Sequence, residues 1–418
     1  MAKDDIEGRA VTLREEAEPA AAISPLETLS VPGLLDGSGG SNRADPVRSS
    51  LRASNDLEAV RAWLSARASN PNTRSAYRKE AERFLLWCIA EEGTALSSIT
   101  VEEASLYPRF LEDLGRLADA AWAERWRLPE DSWIGPKQAE RGTPSWRPFS
   151  GPLSHTSRRQ ALVVVRMLFS FLVKTGYLRT NPFEQVPPKV PYLPGESAPK
   201  EFADRSLSEE EWGAVLRHLG SLPESEEKAR LEVVLMMGKG LGMRASEMLA
   251  ARTGWFGTRR IGRTPVAVVN VIGKGDKVRS LPVQKAHLDA VDAYLAARGL
   301  PPAAKCPPDT PVLASLGRGK QPKARAQALS RSGLHRALKK FLDGAAAEVE
   351  SMNPFEGEKL RAASTHWLRH TFAETALEAM PVNVVQTALG HRSLATTSLY
   401  LVPTAAKLAE GMKGMKPL

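Results

Sequence analysis

The 418-residue chain reads as a multidomain protein, α followed by α+β: a helical first domain, then a mostly helical second domain with a small β-hairpin. Three observations predict this. The length exceeds what one ordinary hydrophobic core spans. A proline-rich stretch, 188–205, separates two regions of helical periodicity, and Pro188, Pro191, Pro194 and Pro199 keep it extended as a linker. In the second region two β-branched runs, 266–271 and 278–283, flank Gly273-Lys274-Gly275-Asp276-Lys277, the composition of a hairpin with its turn.

Composition narrows the class. With 42% hydrophobic and 25% charged residues the chain is that of a globular protein. The most apolar stretch, Ala161 to Val173, is interrupted by Arg166 and is too short to span a bilayer, so no membrane association is expected. The opening Met1-Ala2-Lys3-Asp4-Asp5 has no signal-peptide core. Two cysteines, Cys88 and Cys306, are too few for a disulfide framework or a zinc site, which fits a reducing cytoplasm. Net charge is +9. Residues 1–50 hold five Lys/Arg and nine Asp/Glu, so the remainder carries +13. A basic body points to a polyanion, most often nucleic acid.

Taken in order, residues 1–54 are rich in Ala, Glu, Ser and Gly without sustained periodicity, and are expected to form a flexible tail. Residues 55–187 follow a helical pattern. Tyr77, Ala81, Phe84, Leu85 and Cys88 recur at three- and four-residue steps as a buried stripe, while Arg74, Arg78, Lys79 and Arg83 are assigned to the opposite, basic face. Thr100 with Glu103 reads as a capping box. A long helix is predicted from Thr156 to Lys174, ended by Gly176. Between them lies an irregular segment of about 120–153 with Trp122, Trp126, Trp133 and Trp146, long for a structureless loop and read as an insertion. It is a packed excursion, a protomer contact or extra binding surface. The second domain, 206–418, opens on another capping box, Ser208 with Glu211.

Chemistry concentrates near the C-terminal end of that domain. In Thr365-His366-Trp367-Leu368-Arg369-His370-Thr371-Phe372-Ala373, His366 and Arg369 are three apart and share a helix face, with Leu368, Phe372 and Leu377 as the anchoring stripe. Gly390 is a C-cap that sets His391 just beyond the next helix, and a final short helix carries Tyr400. Imidazoles, a guanidinium and a phenol gathered together suit phosphoryl transfer without a metal, and the chain has no carboxylate metal cluster or nucleotide-binding glycine loop. Upstream, Arg244 opens a helix next to backbone N–H groups, where an arginine is well set to hold a phosphate, and Glu247 is spaced to steady it.

The run HxLRHTFA followed by LGHxSxxTTxxY resembles the C-terminal signature of the tyrosine recombinases, the phage-type integrases and their relatives. Gly242-Met243-Arg244-Ala245-Ser246-Glu247-Met248 resembles that family's first-arginine motif GLRxSEL, with methionine for both leucines, and the hairpin resembles its GKGxKxR. The resemblance covers the second domain and extends more weakly over the first, which looks like the family's helical, SAM-like core-binding domain. It implies a site-specific recombinase that cleaves and rejoins DNA through a 3′-phosphotyrosine, giving integration, excision or resolution of a mobile element. Tyr400 would be the nucleophile, Arg244 and Arg369 the phosphate clamp, Lys274 the acid for the departing 5′ oxygen, His366 an acid/base, His391 a hydrogen-bond donor to the phosphate and Glu247 a support for Arg244. Arg74, Arg78 and Lys79 would face DNA.

The resemblance further implies double-stranded DNA as partner, a tetramer built as a dimer of dimers, accessory recombination proteins in some systems, no cofactor, and a bacterial, nucleoid-associated location in the cytoplasm. The residues after Tyr400, with Ala405, Ala406, Leu408 and Met412, would form a short helix exchanged between protomers. Two other readings share some of these features. A type IB topoisomerase-like enzyme would relax DNA as a monomer, and a non-catalytic relative would bind DNA as an architectural or regulatory factor. The spacing from His391 to Tyr400 favours the recombinase over the first, and the complete catalytic set argues against the second.

Overall fold

The computed structural model describes residues 23–67, 70–196, 205–273, 277–316, 327–350, 353–398 and 400. The chain forms two compact units, residues 1–198 and 199–418. The described residues are mostly helical, with one small antiparallel sheet.

In the first unit the apolar periodicity forms α1 (Asp56–Arg67), α2 (Pro71–Leu86), α3 (Val101–Asp113), α4 (Asp119–Arg125) and α5 (His155–Lys174). Asn70 caps α2, and the Thr100 N–H donates to Glu103 at 2.7 Å, opening α3. The centre is aromatic. Phe84, Tyr107, Phe169 and Phe183 meet edge to face, and Phe110 contacts the rings of Trp122, Trp126 and Trp133. The tryptophan-rich segment therefore extends the core. Trp133 is fully buried, its indole N–H donating to Glu91, whose carboxylate also accepts from the backbone of Leu128.

Two expectations are corrected in this unit. Residues 23–54, read as part of a flexible tail, lie against the bundle. Leu26 and Leu29 are buried, the Leu26 N–H donates to Glu82 at 2.8 Å, and Arg43 donates to the Tyr177 hydroxyl while stacking over its ring. Low average hydropathy concealed a few well-spaced anchors. Arg83, assigned to the basic face, is buried. It pairs with Glu80, donates to the Pro148 carbonyl and lies over Phe149, so the packed segment recruited a charge that the helical wheel would leave in solvent.

The second unit opens with α6 (Glu209–Ser221), whose Ser208–Glu211 capping box is formed. Helix α7 (Glu226–Leu235) runs into a widened π turn, Met236–Gly240, and α8 (Ala245–Ala250) follows directly. Strands β2 (Thr264–Ile272) and β3 (Val278–Pro282) make the expected hairpin. A third strand, β1 (Phe256–Ile261), pairs with β2 and had no periodic signal, since Arg259 and Arg260 break its apolar pattern. Helix α9 (Lys285–Ala297) and the long α10 (Arg331–Glu350) surround a core that includes Val269, Tyr294, Phe341 and Leu368. The last elements are α11 (Pro354–Ala362), α12 (Thr365–Ala379), α13 (Val382–Leu389) and α14 (Leu394–Ser398).

Candidate active site

The site grows from the packing of α12. Leu368 anchors this helix in the main core of the second unit, while Ala373 and Ala376 join Val385 and Leu389 of α13 in a small satellite core. Ser364 caps α12 by accepting from the His366 N–H. One turn further, Arg369 points inward and is 1% exposed. Its guanidinium donates to the carbonyl of Gly242, to that of Leu389 at 2.6 Å, and to Nε2 of His391 at 3.1 Å. Two glycines make this possible. Gly242 has φ +60°, and a Cβ there would sit 2.4 Å from the Phe372 ring; Gly390 ends α13 in the left-handed conformation at φ +64°.

Arg244 occupies the N-cap of α8, one position before the first helical turn. Its backbone N–H and guanidinium both donate to Glu247, at 2.8 and 3.0 Å, and its side chain stays 35% exposed. Glu247 itself is 3% exposed and collects a second arginine: Arg279 of β3 donates to both of its oxygens at 2.8 Å. Arg369 lies 4.0 Å away. One carboxylate thus faces three guanidiniums, leaving positive charge in excess where an anion would bind. Burial pushes the Glu247 carboxyl up, but the hydrogen bonds from Arg279 and the Arg244 backbone outweigh it and hold it below the ordinary value.

His370 and His391 are neutral at pH 7. Burial, then Arg369 and Arg244, lowers His391 to about 4. His391 takes a hydrogen bond from Arg369 on Nε2 and contacts Thr397 Oγ1 at 2.8 Å through Nδ1, so the proton resides on Nδ1. His366 is exposed at its edge, yet partial enclosure and then Arg369 depress its pKa as well. His370 is buried between the His366 ring, 4.3 Å away, and the Tyr400 ring, 5.2 Å away, and burial takes it to about 3. Tyr400 packs on the satellite core with its ring parallel to His391 at 6.2 Å. Burial raises its pKa, opposed by Arg369 and Arg244.

Arg244, Glu247, His366, Arg369, His391 and Tyr400 therefore come together in the second unit. Tyr400 lies beyond α14 rather than on it, in a turn closed by its N–H to the Thr397 carbonyl, because α14 ends at Ser398. Lys274 and the segment after Tyr400 lie outside the described residues. In the first unit Arg74 is exposed, whereas Arg78 is paired with Glu27 at 2.9 Å and Lys79 with Glu80 at 3.0 Å. Sequence reading gave no role to Arg279 or His370. Both stand inside the quoted motifs, but only the fold reveals their partners.

Comparison with known proteins identifies the family. The model of the phage integrase family matches residues 205–407. The tyrosine recombinase XerD of Mycobacterium tuberculosis is 30% identical over 271 residues, covering 63% of this chain and 75% of that protein. The chain belongs to the tyrosine recombinase family. It is an enzyme of site-specific DNA strand cleavage and rejoining, and DNA is its partner. Another member, XerD of Mycobacterium leprae, is 29% identical over 355 residues, covering 82% of this chain and 99% of its own. Among solved structures, the XerH site-specific recombinase bound to palindromic difH substrate in a post-cleavage complex has a TM-score of 0.54 at 18% identity. The match covers 94% of this chain and 99% of that one, and it speaks for the recombinase fold.

Proposed function

We propose that Tyr400 is the nucleophile of this recombinase, and that Arg244 and Arg369 clamp the scissile phosphate. The observation that carries the reading is the cluster of guanidiniums around Glu247, beside the one phenol that packs against His391. In the cleavage step the Tyr400 hydroxyl oxygen bonds to phosphorus, its proton passes to His366, and the bond from phosphorus to the 5′ oxygen breaks. That oxygen takes a proton from Lys274. Rejoining reverses each transfer, and the phosphotyrosine conserves the bond energy.

The physical demands match the residues. A phenol with a pKa of about 10 needs a base or strong anion stabilisation to attack at neutral pH. Phosphoryl transfer otherwise asks for positioning and charge neutralisation, which two arginines supply as preorganised donors. His391 is poised to exchange its partner. Once a phosphate oxygen takes the guanidinium of Arg369, Nε2 of His391 is released, and the proton must shift to Nε2 for His391 to donate to the phosphate.

Arg74, Arg78 and Lys79 form a second DNA contact, on the first unit. Strand exchange takes place in a tetramer assembled on DNA in the bacterial cytoplasm, with the chain after Tyr400 passed between protomers and accessory proteins setting the outcome. The test is covalent trapping. Wild type and Tyr400→Phe are incubated with nicked duplexes spanning the flanks of the protein's own gene and resolved on a denaturing gel. An adduct with wild type alone is expected, with DNA binding kept in both. An adduct that survives in Tyr400→Phe would overturn the assignment.

A further inference from the structure

The arginine at the end of the hairpin motif, Arg279, has an arrangement that a plain surface cation would not need. Its side chain is 10% exposed, and its hydrogen bonds to Glu247 and Ala388 run inward. Both terminal nitrogens donate to Glu247 at 2.8 Å, in the two-pronged geometry that fixes a carboxylate plane. Its Nε donates at 2.8 Å to the carbonyl of Ala388, in the last turn of α13. Gly390 then passes so close that a Cβ there would sit 3.2 Å from Arg279 Cδ. One side chain of β3 thus ties together the carboxylate that holds Arg244 and the helix end that delivers His391.

We propose that Arg279 is a positioning residue for DNA cleavage, setting Arg244 through Glu247 and His391 through the Ala388 carbonyl. This rests on the phosphate-clamp reading above. With both carboxylate oxygens engaged by Arg279, Glu247 meets Arg244 only at the edge, through one guanidinium nitrogen and the backbone N–H. That leaves the rest of the Arg244 fork to face an incoming phosphate. Without Arg279, Glu247 is free to rotate and take Arg244 in the two-pronged geometry instead, withdrawing it from the phosphate. The same loss frees the end of α13, so His391 no longer has a fixed approach.

The experiment uses the full chain and the nicked duplex on which wild type forms its adduct, made with either a phosphodiester or a methylphosphonate at the scissile position. The methylphosphonate is neutral and asks less of the arginine clamp. Single-turnover adduct formation is followed for wild type, Arg279→Gln and Arg279→Lys, together with duplex affinity. We expect Arg279→Gln to bind within about threefold of wild type but to cleave the phosphodiester ~100-fold more slowly, the scale of one lost preorganised donor. On the methylphosphonate the defect should shrink to under about tenfold. Arg279→Lys keeps the charge without the fork and should fall between. Equal defects on both substrates would mean that Arg279 only maintains the fold, and a wild-type rate for Arg279→Gln on the phosphodiester would equally overturn the proposal. An absent wild-type adduct would instead sink the reading of Tyr400.

Discussion

The carboxylate of Glu247 offers the sharpest test of the site's electrostatics. Substituting Glu247→Gln keeps the shape but removes the negative charge shared by Arg244, Arg279 and Arg369, and turns an amide N–H₂ toward guanidiniums. Arg244 is 35% exposed, so water screens its share. The buried partners are Arg279 and Arg369, 10% and 1% exposed. Breaking a buried pair costs about 3–5 kcal/mol, and with Arg244 discounted we expect ~3 kcal/mol from the second unit. At an m-value of about 2 kcal/mol per molar, that moves the urea midpoint by about 1.5 M. Hydrogen exchange in peptides from residues 231–243 and 365–376 would read that unit by itself.

The pH dependence gives an internal control. Because the folded carboxyl is held below its ordinary 4.5, the unfolded chain binds the proton more readily, and stability from this group rises with pH. It is fully present above 4.5 and is lost as pH falls through the lower folded value. Wild type and Glu247→Gln should therefore converge in acid. A midpoint shift below about 0.5 M at neutral pH, or a gap that persists in acid, would refute the account of one buried carboxylate neutralising the cluster.

Two further predictions concern the frame and the imidazoles. Gly242→Ala combines a left-handed φ with a clash on Phe372, and should lower unfolding free energy by about 2–4 kcal/mol; calorimetry showing an unchanged Tm would contradict the packing described. In the DNA-free protein the ring carbons of His391, followed by NMR, should titrate near 4, so His391 stays neutral through the physiological range. A midpoint above 6 would mean that the site is far more open to water.

Much of this protein was legible in its sequence because the relevant signals are local. The Ser208 capping box, the glycine that ends α13 and the β-branched hairpin depend on residues three to ten apart, and each formed, while at Thr100 the Glu103 half of the box formed without the threonine side chain's own bond. The candidate site was legible for another reason: Arg244, His366, Arg369, His391 and Tyr400, which the fold brings together, sit in motifs whose filler residues are as telling as the polar ones.

What the chain's linear order could not reveal are the contacts that cross it. Arg279 reaches Glu247 and Ala388, and Arg369 reaches Gly242, over separations that no periodicity encodes. Residues 23–54 and Arg83 were misjudged because composition and helical phase average over surfaces, whereas burial is decided by the few side chains that find a partner. The residue types and their local spacing determined which chemistry this chain carries. The tertiary structure decided how it is tuned, because desolvation and the mutual field of three guanidiniums around one carboxylate exist only once distant segments are packed together.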